Sequence, residues 1–126
     1  MAFYCPLCES GSLKILKAID LKPDSRSDEI VLQVVGCSQC GFKGLASYEE
    51  SRRGALDSES WDHTGYQVDL ADLKTIANWI DSCPDRRDVH CQCQAHQTLG
   101  QRNRNGRWNA LDKFEMKGSF TLRRRP

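Results

Sequence analysis

The 126-residue chain is predicted to be a small α+β protein with an N-terminal β-hairpin or three-stranded sheet, one central amphipathic helix and a C-terminal β-hairpin. Two cysteine pairs that enclose a β-branched segment predict the first element. A single apolar stripe at helical spacing predicts the second. A charged fraction of 28% and a mean hydropathy of −0.61 indicate a soluble, folded chain rather than a membrane-spanning or disordered one.

The strongest motif is a pair of C-x2-C segments, Cys5-Pro6-Leu7-Cys8 with Gly11 after it and Cys37-Ser38-Gln39-Cys40-Gly41. Two thiolates separated by two residues can reach one ion from a tight turn, and a glycine after the turn permits the left-handed backbone that closes it. Four such sulfurs favour a closed structural zinc site made of Cys5, Cys8, Cys37 and Cys40. The 28 residues between the pairs are enough for a β-hairpin.

This segment resembles the zinc-ribbon superfamily over about residues 3–48. The resemblance implies two metal-binding knuckles, a hairpin between them and a third strand after the second knuckle, but it implies no particular function. We therefore expect a ribbon over residues 1–48 and a small α+β region over residues 49–126, either separate from the ribbon or compact with it.

Within the ribbon, Leu13 to Leu16 and the β-branched run Ile30–Val35 are predicted strand segments, joined by a polar loop over Asp20–Asp28. Two interpretations of the next segment stay open. A third strand could run from Phe42 to Tyr48, or the capping box formed by Ser47 and Glu50 could start a short helix that stops near Gly54.

The central helix is predicted over residues 70–82. Its N-cap would be Asp69, and Pro84 would end it. Its apolar stripe consists of Leu70, Leu73, Ile76, Ala77 and Ile80. Residues 57–66 show no usable period. Residues 98–107 are expected to form a loop, and residues 108–114 and 119–124, joined around Lys117-Gly118, a closing hairpin.

The remaining cysteines suggest a second metal site. Cys83, Cys91, Cys93 and His96 make a complete tetrahedral set for zinc. Buried free cysteines and a redox pair are the alternatives. The N-terminus lacks the features of a secretory signal, so we expect a cytoplasmic protein, and clustered cysteines in a reducing compartment bind metal more often than they form disulfides.

The net charge of +1 conceals a gradient, since residues 1–63 carry 7 Lys+Arg against 10 Asp+Glu, whereas residues 97–126 carry 8 against 2. Guanidinium groups suit phosphates, and interleaved aromatic residues suit bases. The predicted nucleic-acid contacts are Arg102, Arg104, Arg107, Trp108, Lys117, Arg123, Arg124 and Arg125, with Phe114 and Phe120 spaced among them. Alternatively, the aromatic rings face the core, or the basic face binds an acidic protein.

Short motifs suggest two enzymatic hypotheses. In the first, the loop that carries Asp28 and Glu29 before Cys37 resembles the acidic hairpin tip of transcript-cleavage elongation factors, which implies that the two carboxylates help to hold a catalytic magnesium ion. The loop departs from that family's pattern, because one residue is missing before Asp28 and Ile30 replaces a proline. A solvated acidic turn is the alternative.

The second hypothesis is an HNH-like nuclease, because Asp62-His63, Asn78 and His90 occur in the order of that motif. Asn78, however, lies within the predicted helix. The charged run Glu49, Glu50, Arg52 and Arg53 could be a further site or an ion-pair network. The sequence as a whole favours a non-enzymatic, zinc-binding, nucleic-acid-associated binding or adaptor protein. The other candidates are a protein-interaction subunit of a larger complex and these two nuclease-type activities.

Overall fold

A computed structural model describes residues 2–52 and 60–124 and confirms the mixed α+β class. It contains a curled six-stranded antiparallel sheet, one main helix and one short helix. The elements are β1 (Ala2–Phe3), β2 (Leu13–Leu21), β3 (Glu29–Cys37), β4 (Lys43–Ser51), β5 (Ser60–Val68), α1 (Leu70–Ser82), α2 (Gln94–Leu99), a 3-10 helix (Ala110–Lys113) and β6 (Met116–Thr121).

Each strand pairs with the next along the chain, in the order β1-β2-β3-β4-β5-β6. The strand interpretation of residues 42–48 is therefore the right one, and the helix starting at Ser47 is wrong. Ser47 pairs with Leu32 on one side and Thr64 on the other. Hydrogen bonds to strands on both sides satisfy this backbone, which outweighs a local capping box. Because β4 covers Lys43–Ser51, it runs through position 48, where the two predicted regions meet.

The last third of the chain differs from the predicted hairpin. The segment around Ala110–Lys113 is a 3-10 helix and does not pair with residues 119–124. Instead β6 pairs with β5, the strand that the pattern of residues 57–66 did not predict. The first half of the expected hairpin is held elsewhere, since the Trp108 indole N–H donates to the Leu99 carbonyl at 2.7 Å.

The two outer ends of the sheet meet. Phe3 pairs with Arg124, and the Tyr4 N–H donates to the Arg123 carbonyl at 2.9 Å. The face inside this curl is called the concave face below. It encloses a small core at one end, made of Phe3, Cys5, Leu13, Val35, Cys37, Ala46 and Leu122.

The opposite face of the sheet carries α1 and the main core. The helix begins and ends at the predicted residues, and Leu73, Ile76 and Ile80 of the predicted stripe are buried against the sheet. Asp69 makes no side-chain cap and pairs with Lys117 instead, so the burial of the stripe stabilises this helix more than its cap does. In the part of the chain described, no helix combines the length and apolarity needed to cross a membrane.

A buried carboxylate joins the loop after β2 to the segment before the 3-10 helix. The Asp24 side chain accepts hydrogen bonds from the N–H groups of Arg26 (2.8 Å), Ser27 (2.6 Å) and Trp108 (2.7 Å). The Nε atom of Arg107 lies 3.6 Å from the same carboxylate, which is fully buried. Burial raises the pKa of Asp24, but these donors outweigh burial and hold it below its ordinary value.

We expect Asp24→Asn to lower the free energy of unfolding by about 2 kcal/mol at pH 7, because it removes a charge that several buried donors share. A carboxylate with a lowered pKa stabilises the fold fully above its ordinary value of 3.8 and loses this effect as the pH falls through its folded value. At pH 7 the whole difference should therefore be visible in urea unfolding. Asp85→Asn is the control, since the exposed Asp85 side chain accepts only a hydrogen bond from the Arg87 N–H at 3.3 Å among the described residues. An equally large loss of stability in this variant would contradict the role of the buried Asp24 hydrogen bonds.

Candidate metal centres

The first candidate centre lies where β2 begins, β3 ends and β4 begins. Its four sulfurs, from Cys5, Cys8, Cys37 and Cys40, all lie within 4.8 Å of one another. The Cys5–Cys40 and Cys8–Cys37 Sγ separations are 3.6 and 3.7 Å. Sulfurs bonded to one tetrahedral zinc ion at about 2.3 Å would be about 3.8 Å apart, so this cluster has the size of such a site. It is compatible with a zinc ribbon.

The two knuckles have the same hydrogen bonds but different closing residues. In one, the Gly41 N–H donates to the Cys37 carbonyl and Gly41 has a φ of 79°. In the other, the Glu9 N–H donates to the Cys5 carbonyl and Glu9 itself has a φ of 62°. Gly11 is not among the described residues with a positive φ. A side-chain-bearing residue therefore adopts the left-handed conformation that the sequence suggested for a glycine.

Ser10 is a neighbour of the ligands that the sequence pattern did not indicate. Its Oγ lies 3.1 Å from the Cys8 sulfur and 3.7 Å from the Cys37 sulfur. Burial raises the pKa of Cys37, but the N–H groups of Cys40 and Gln39 and the Ser10 hydroxyl outweigh it and bring the pKa down to about 6. The metal-free cluster thus holds a thiolate at neutral pH, which attracts a cation.

Cys40 behaves in the opposite way. The Phe42 N–H lowers its pKa, but burial and the three neighbouring sulfurs together raise the pKa to about 12. Four thiolates cannot share this volume without a cation between them. Metal binding must therefore displace protons from the cluster, so that the affinity for metal falls as the pH falls.

The second candidate centre joins the two helices. Cys83 follows α1, Cys93 is the N-cap of α2, and His96 lies within α2. With Cys91 they bring four ligand atoms within 4.8 Å of one another. The Sγ atoms of Cys83 and Cys91 are 3.9 Å apart, and His96 Nδ1 lies 3.2 and 3.5 Å from the sulfurs of Cys83 and Cys93. Around a tetrahedral zinc ion, sulfur and nitrogen would be about 3.6 Å apart.

The His96 ring is held in the orientation that a metal ligand needs. Its Nε2 atom lies 2.9 Å from the Asp20 carbonyl, which can only accept a hydrogen bond, so Nε2 carries the hydrogen. Nδ1 is therefore the ring nitrogen that faces the sulfurs and could bind a metal ion with them. A backbone carbonyl that orients the second ring nitrogen is a common arrangement for histidine ligands.

As in the first cluster, some thiols of this cluster have a lowered pKa and others a raised one. Burial raises the pKa of Cys93, but the backbone N–H and the imidazole of His96 and the neighbouring thiols outweigh it and lower the pKa to about 6. Burial and the sulfurs of Cys93 and Cys91 raise the pKa of Cys83 to about 11. Each cluster thus combines one acidic thiol with one that ionises only when a cation arrives.

The second cluster also covers an edge of the sheet. β1 pairs only with Leu13 and Lys14, so among the described residues no strand lies beside the rest of the outer edge of β2. At Asp20 the backbone N–H donates to the Arg86 carbonyl at 2.8 Å, and the backbone carbonyl accepts from His96. The segment from Arg86 to His96 thereby satisfies both backbone groups of an edge residue.

The predicted nucleic-acid contacts fall on separate parts of the surface. Arg102, Arg104, Arg107 and Trp108 lie in one tight turn in which Arg102 pairs with Trp108. The Asn103 side chain accepts from the N–H groups of Asn105 and Arg107, and Gly106 adopts a φ of 77°. These bonds fix the backbone of the turn. Residues 100–107 form the predicted loop, whereas residues 98 and 99 belong to α2.

Only some of these basic residues have an acidic partner. Arg107 faces Asp24 and Lys117 faces Asp69. Arg102, Arg104, Arg123 and Arg124 are exposed and form no ion pair with any other described residue. Arg125 lies outside the described residues.

The aromatic residues of this region point inward. Trp108 and Phe114 pack against the main core, and Phe120 packs against the small one. Phe120 lies so close over Gly65 that a Cβ atom there would be 2.2 Å from its ring. This is the alternative in which the rings face the core, and it leaves these three rings little surface for base stacking.

The described residues of the enzymatic hypotheses do not gather into a site. The Asp28 carboxylate accepts the Arg52 N–H at 2.6 Å, and Glu29 is the first residue of β3, so this pair is not a protruding tip. His63 lies on the concave face against Phe3, whereas Asn78 is carried by α1 on the opposite face. Within the charged run, Glu50 pairs with Arg52 at 2.6 Å, as the ion-pair interpretation predicted, and Arg53 lies outside the described residues.

We expect His96→Ala to lose one of two bound metal ions, because it removes the only nitrogen ligand of the second cluster. His90→Ala is the matched control, since His90 is exposed and belongs to neither cluster. Native mass spectrometry of both variants, with parallel metal analysis, would count the ions. Retention of both ions by His96→Ala, or loss of one from His90→Ala, would contradict the assignment.

Substitutions at the two knuckle residues with positive φ, Glu9 and Gly41, should change the stability in opposite directions. Glu9→Gly should raise the free energy of unfolding of the metal-loaded protein by about 0.5 kcal/mol, because relief of left-handed strain exceeds the added chain entropy. Gly41→Ala should lower it by about 0.5–1 kcal/mol through strain alone, since no atom lies within 4 Å of the added Cβ. Gly11→Ala serves as the control. Urea midpoints that move in the same direction for the first two variants would exclude this explanation.

Comparisons with protein-family models, with curated proteins and with solved structures gave no match. What the chain does must therefore be inferred from its own residues. The residues that carry the inference are two closed sets of four metal ligands and a group of exposed arginines on a fixed backbone.

Proposed function

We propose that the protein is a non-enzymatic binding module that two structural zinc ions stabilise and that contacts nucleic acid through exposed arginines. Zinc suits both clusters, because it accepts four tetrahedral sulfur or nitrogen ligands without redox chemistry. In each cluster the protein supplies all four ligands, which leaves no open position for substrate. This supports a structural rather than a catalytic role for the metal.

The observation that carries the nucleic-acid proposal is the turn around Arg104. Asn103 holds the turn through two side-chain hydrogen bonds, and the Ser25 N–H donates to the Gly106 carbonyl at 2.9 Å. Arg102 and Arg104 are thus exposed on a fixed backbone and lack an acidic partner among the described residues. Because the backbone is already fixed, the binding of a phosphate has to order only the arginine side chains, which lowers the entropy cost.

Several other cations of the chain already have an acidic partner. Lys17 and Arg86 face Asp81, Arg107 faces Asp24, and Lys117 faces Asp69. Arg102 and Arg104, like the exposed Arg123 and Arg124, have no such partner among the described residues, so an external anion could satisfy them. An acidic protein surface would meet the same charges, and the alternative of a protein-interaction subunit rests on this point.

The test compares two double variants of equal charge. Arg102→Ala/Arg104→Ala should weaken binding to a single-stranded oligonucleotide and lower the slope of log affinity against log salt concentration by about 1.4, at about 0.7 for each phosphate that the variant no longer neutralises. Lys74→Ala/Lys113→Ala removes the same charge from exposed positions elsewhere and should leave the slope nearly unchanged. Fluorescence anisotropy at several salt concentrations gives both quantities.

If the two double variants behave alike, only net charge matters and the turn is not the contact. If the wild-type protein binds no nucleic acid but binds an octaglutamate peptide through Arg102 and Arg104, the protein-interaction alternative replaces the proposal.

A further inference from the structure

A cleft opens at the end of the concave face that the small core does not fill. It has a volume of about 680 Å³, within the range of sites that bind small organic ligands. Its walls come from β5, from the neighbouring part of β4 and from the segment after β6. The lining includes Phe3, Tyr48, Trp61, His63, Arg123 and Arg124.

Trp61 is the unusual member of this lining. All three tryptophans lie in the described part of the chain, and Trp79 and Trp108 pack against the main core. Trp61 instead leaves 63% of its surface exposed. A large aromatic ring exposed at the mouth of a cleft is a surface that a planar ligand can cover.

The rings beside Trp61 are held in place. His63 makes edge-to-face contacts with Phe3 and Tyr48, with ring centroids 5.1 and 5.6 Å apart. The His63 Nε2 atom lies 2.6 Å from Gln33 Oε1, so it donates to the side chain of a buried residue of β3. Burial and the nearby Arg124 charge lower the pKa of His63, which keeps the ring neutral at neutral pH. The positive charge of the cleft therefore comes from the arginines.

Arg123 and Arg124 are attached to a fixed backbone, because this segment pairs with Phe3 and Tyr4. The Arg123 guanidinium lies 5.9 Å from the centre of the Tyr4 ring. Among the residues described, no carboxylate forms an ion pair with either arginine. The cleft thus combines an exposed aromatic face with positive charges that an external anion could neutralise.

From this combination we propose that the cleft binds single-stranded nucleic acid, with one base stacked on Trp61 and an adjacent phosphate contacted by Arg124. The proposal rests on the proposed function and gives it a second contact and a strand preference. Stacking needs an unpaired base, so a duplex gains nothing from Trp61. An acidic peptide would satisfy the arginines but would leave the indole face uncovered, which is why the observations favour a nucleotide chain.

The experiment measures the affinities of wild-type and variant proteins for an eight-nucleotide single strand and for a 16-base-pair duplex. Trp61→Ala should weaken single-strand binding at least about fivefold, since one stacked base contributes an effect of that size, and should leave duplex binding unchanged. Trp61→Phe should retain most of the affinity because it keeps an aromatic face. Leu70→Ala is the matched control, because Leu70 is a similarly exposed apolar residue (72%) on the opposite face. Arg124→Ala should lower the salt slope by about 0.7.

The variants are compared only after native mass spectrometry and thermal melting show that they keep the wild-type metal content and stability. An unchanged affinity of Trp61→Ala, or an equal loss in Leu70→Ala, would overturn the proposal. So would an octaglutamate peptide that competes with the single strand and itself depends on Trp61.

The two proposals fail separately. If only Arg102→Ala/Arg104→Ala loses binding, the turn is the contact and the cleft proposal is overturned. Loss in Trp61→Ala and Arg124→Ala alone would support the cleft and overturn the assignment of the turn. Absence of any binding by the wild-type protein would overturn both.

Discussion

The His96 imidazole is the contact on which the arrangement of helices and sheet depends. One ring nitrogen faces the sulfurs of Cys83 and Cys93, and the other donates to the Asp20 carbonyl on β2. A single planar ring thereby connects the end of α1, the start of α2 and the outer strand. Because the hydrogen bond to Asp20 fixes the tautomer, the sheet orients a ligand of the cluster, and the cluster in turn fixes the helices on the sheet.

The basic surface is positioned by a second buried connection. Asp24 gathers N–H groups from its own loop and from Trp108, and it draws Arg107 inward. The turn that carries Arg102 and Arg104 is therefore anchored by the Asp24 carboxylate, which is buried away from solvent. On the far side of the sheet, the pairing of Phe3 with Arg124 does the same for the arginines of the cleft. In both places hydrogen bonds to the backbone determine where the positive charges lie.

Features set by local spacing were predictable from the sequence, and features set by distant pairing were not. The ligands of both clusters follow from short intervals between cysteines and histidine, and α1 follows from the period of its buried stripe. β5 was not predicted because its concave-face positions carry Trp61 and His63, so the strand shows no clear alternation of apolar and polar residues. The C-terminal hairpin was predicted wrongly because the free edge of β5 is a better partner for β6 than its nearest neighbour in sequence. Asp24 lies in a Pro-Asp-Ser turn signal, but its burial depends on a segment more than 80 residues away.

The short pairing of β1 with β2 has a consequence for the metal-depleted protein. Beyond Lys14 no strand of the described chain lies beside the outer edge of β2. The segment from Arg86 to His96 covers Asp20 only while both of these residues stay in place. Release of the ion would loosen that segment and expose a strand edge that carries Ile19 and Leu21. Exposed edges of this kind pair with other chains. Metal starvation would then appear as aggregation before it appeared as loss of secondary structure, so an ion bound at the second cluster would protect the solubility of the protein as well as its shape.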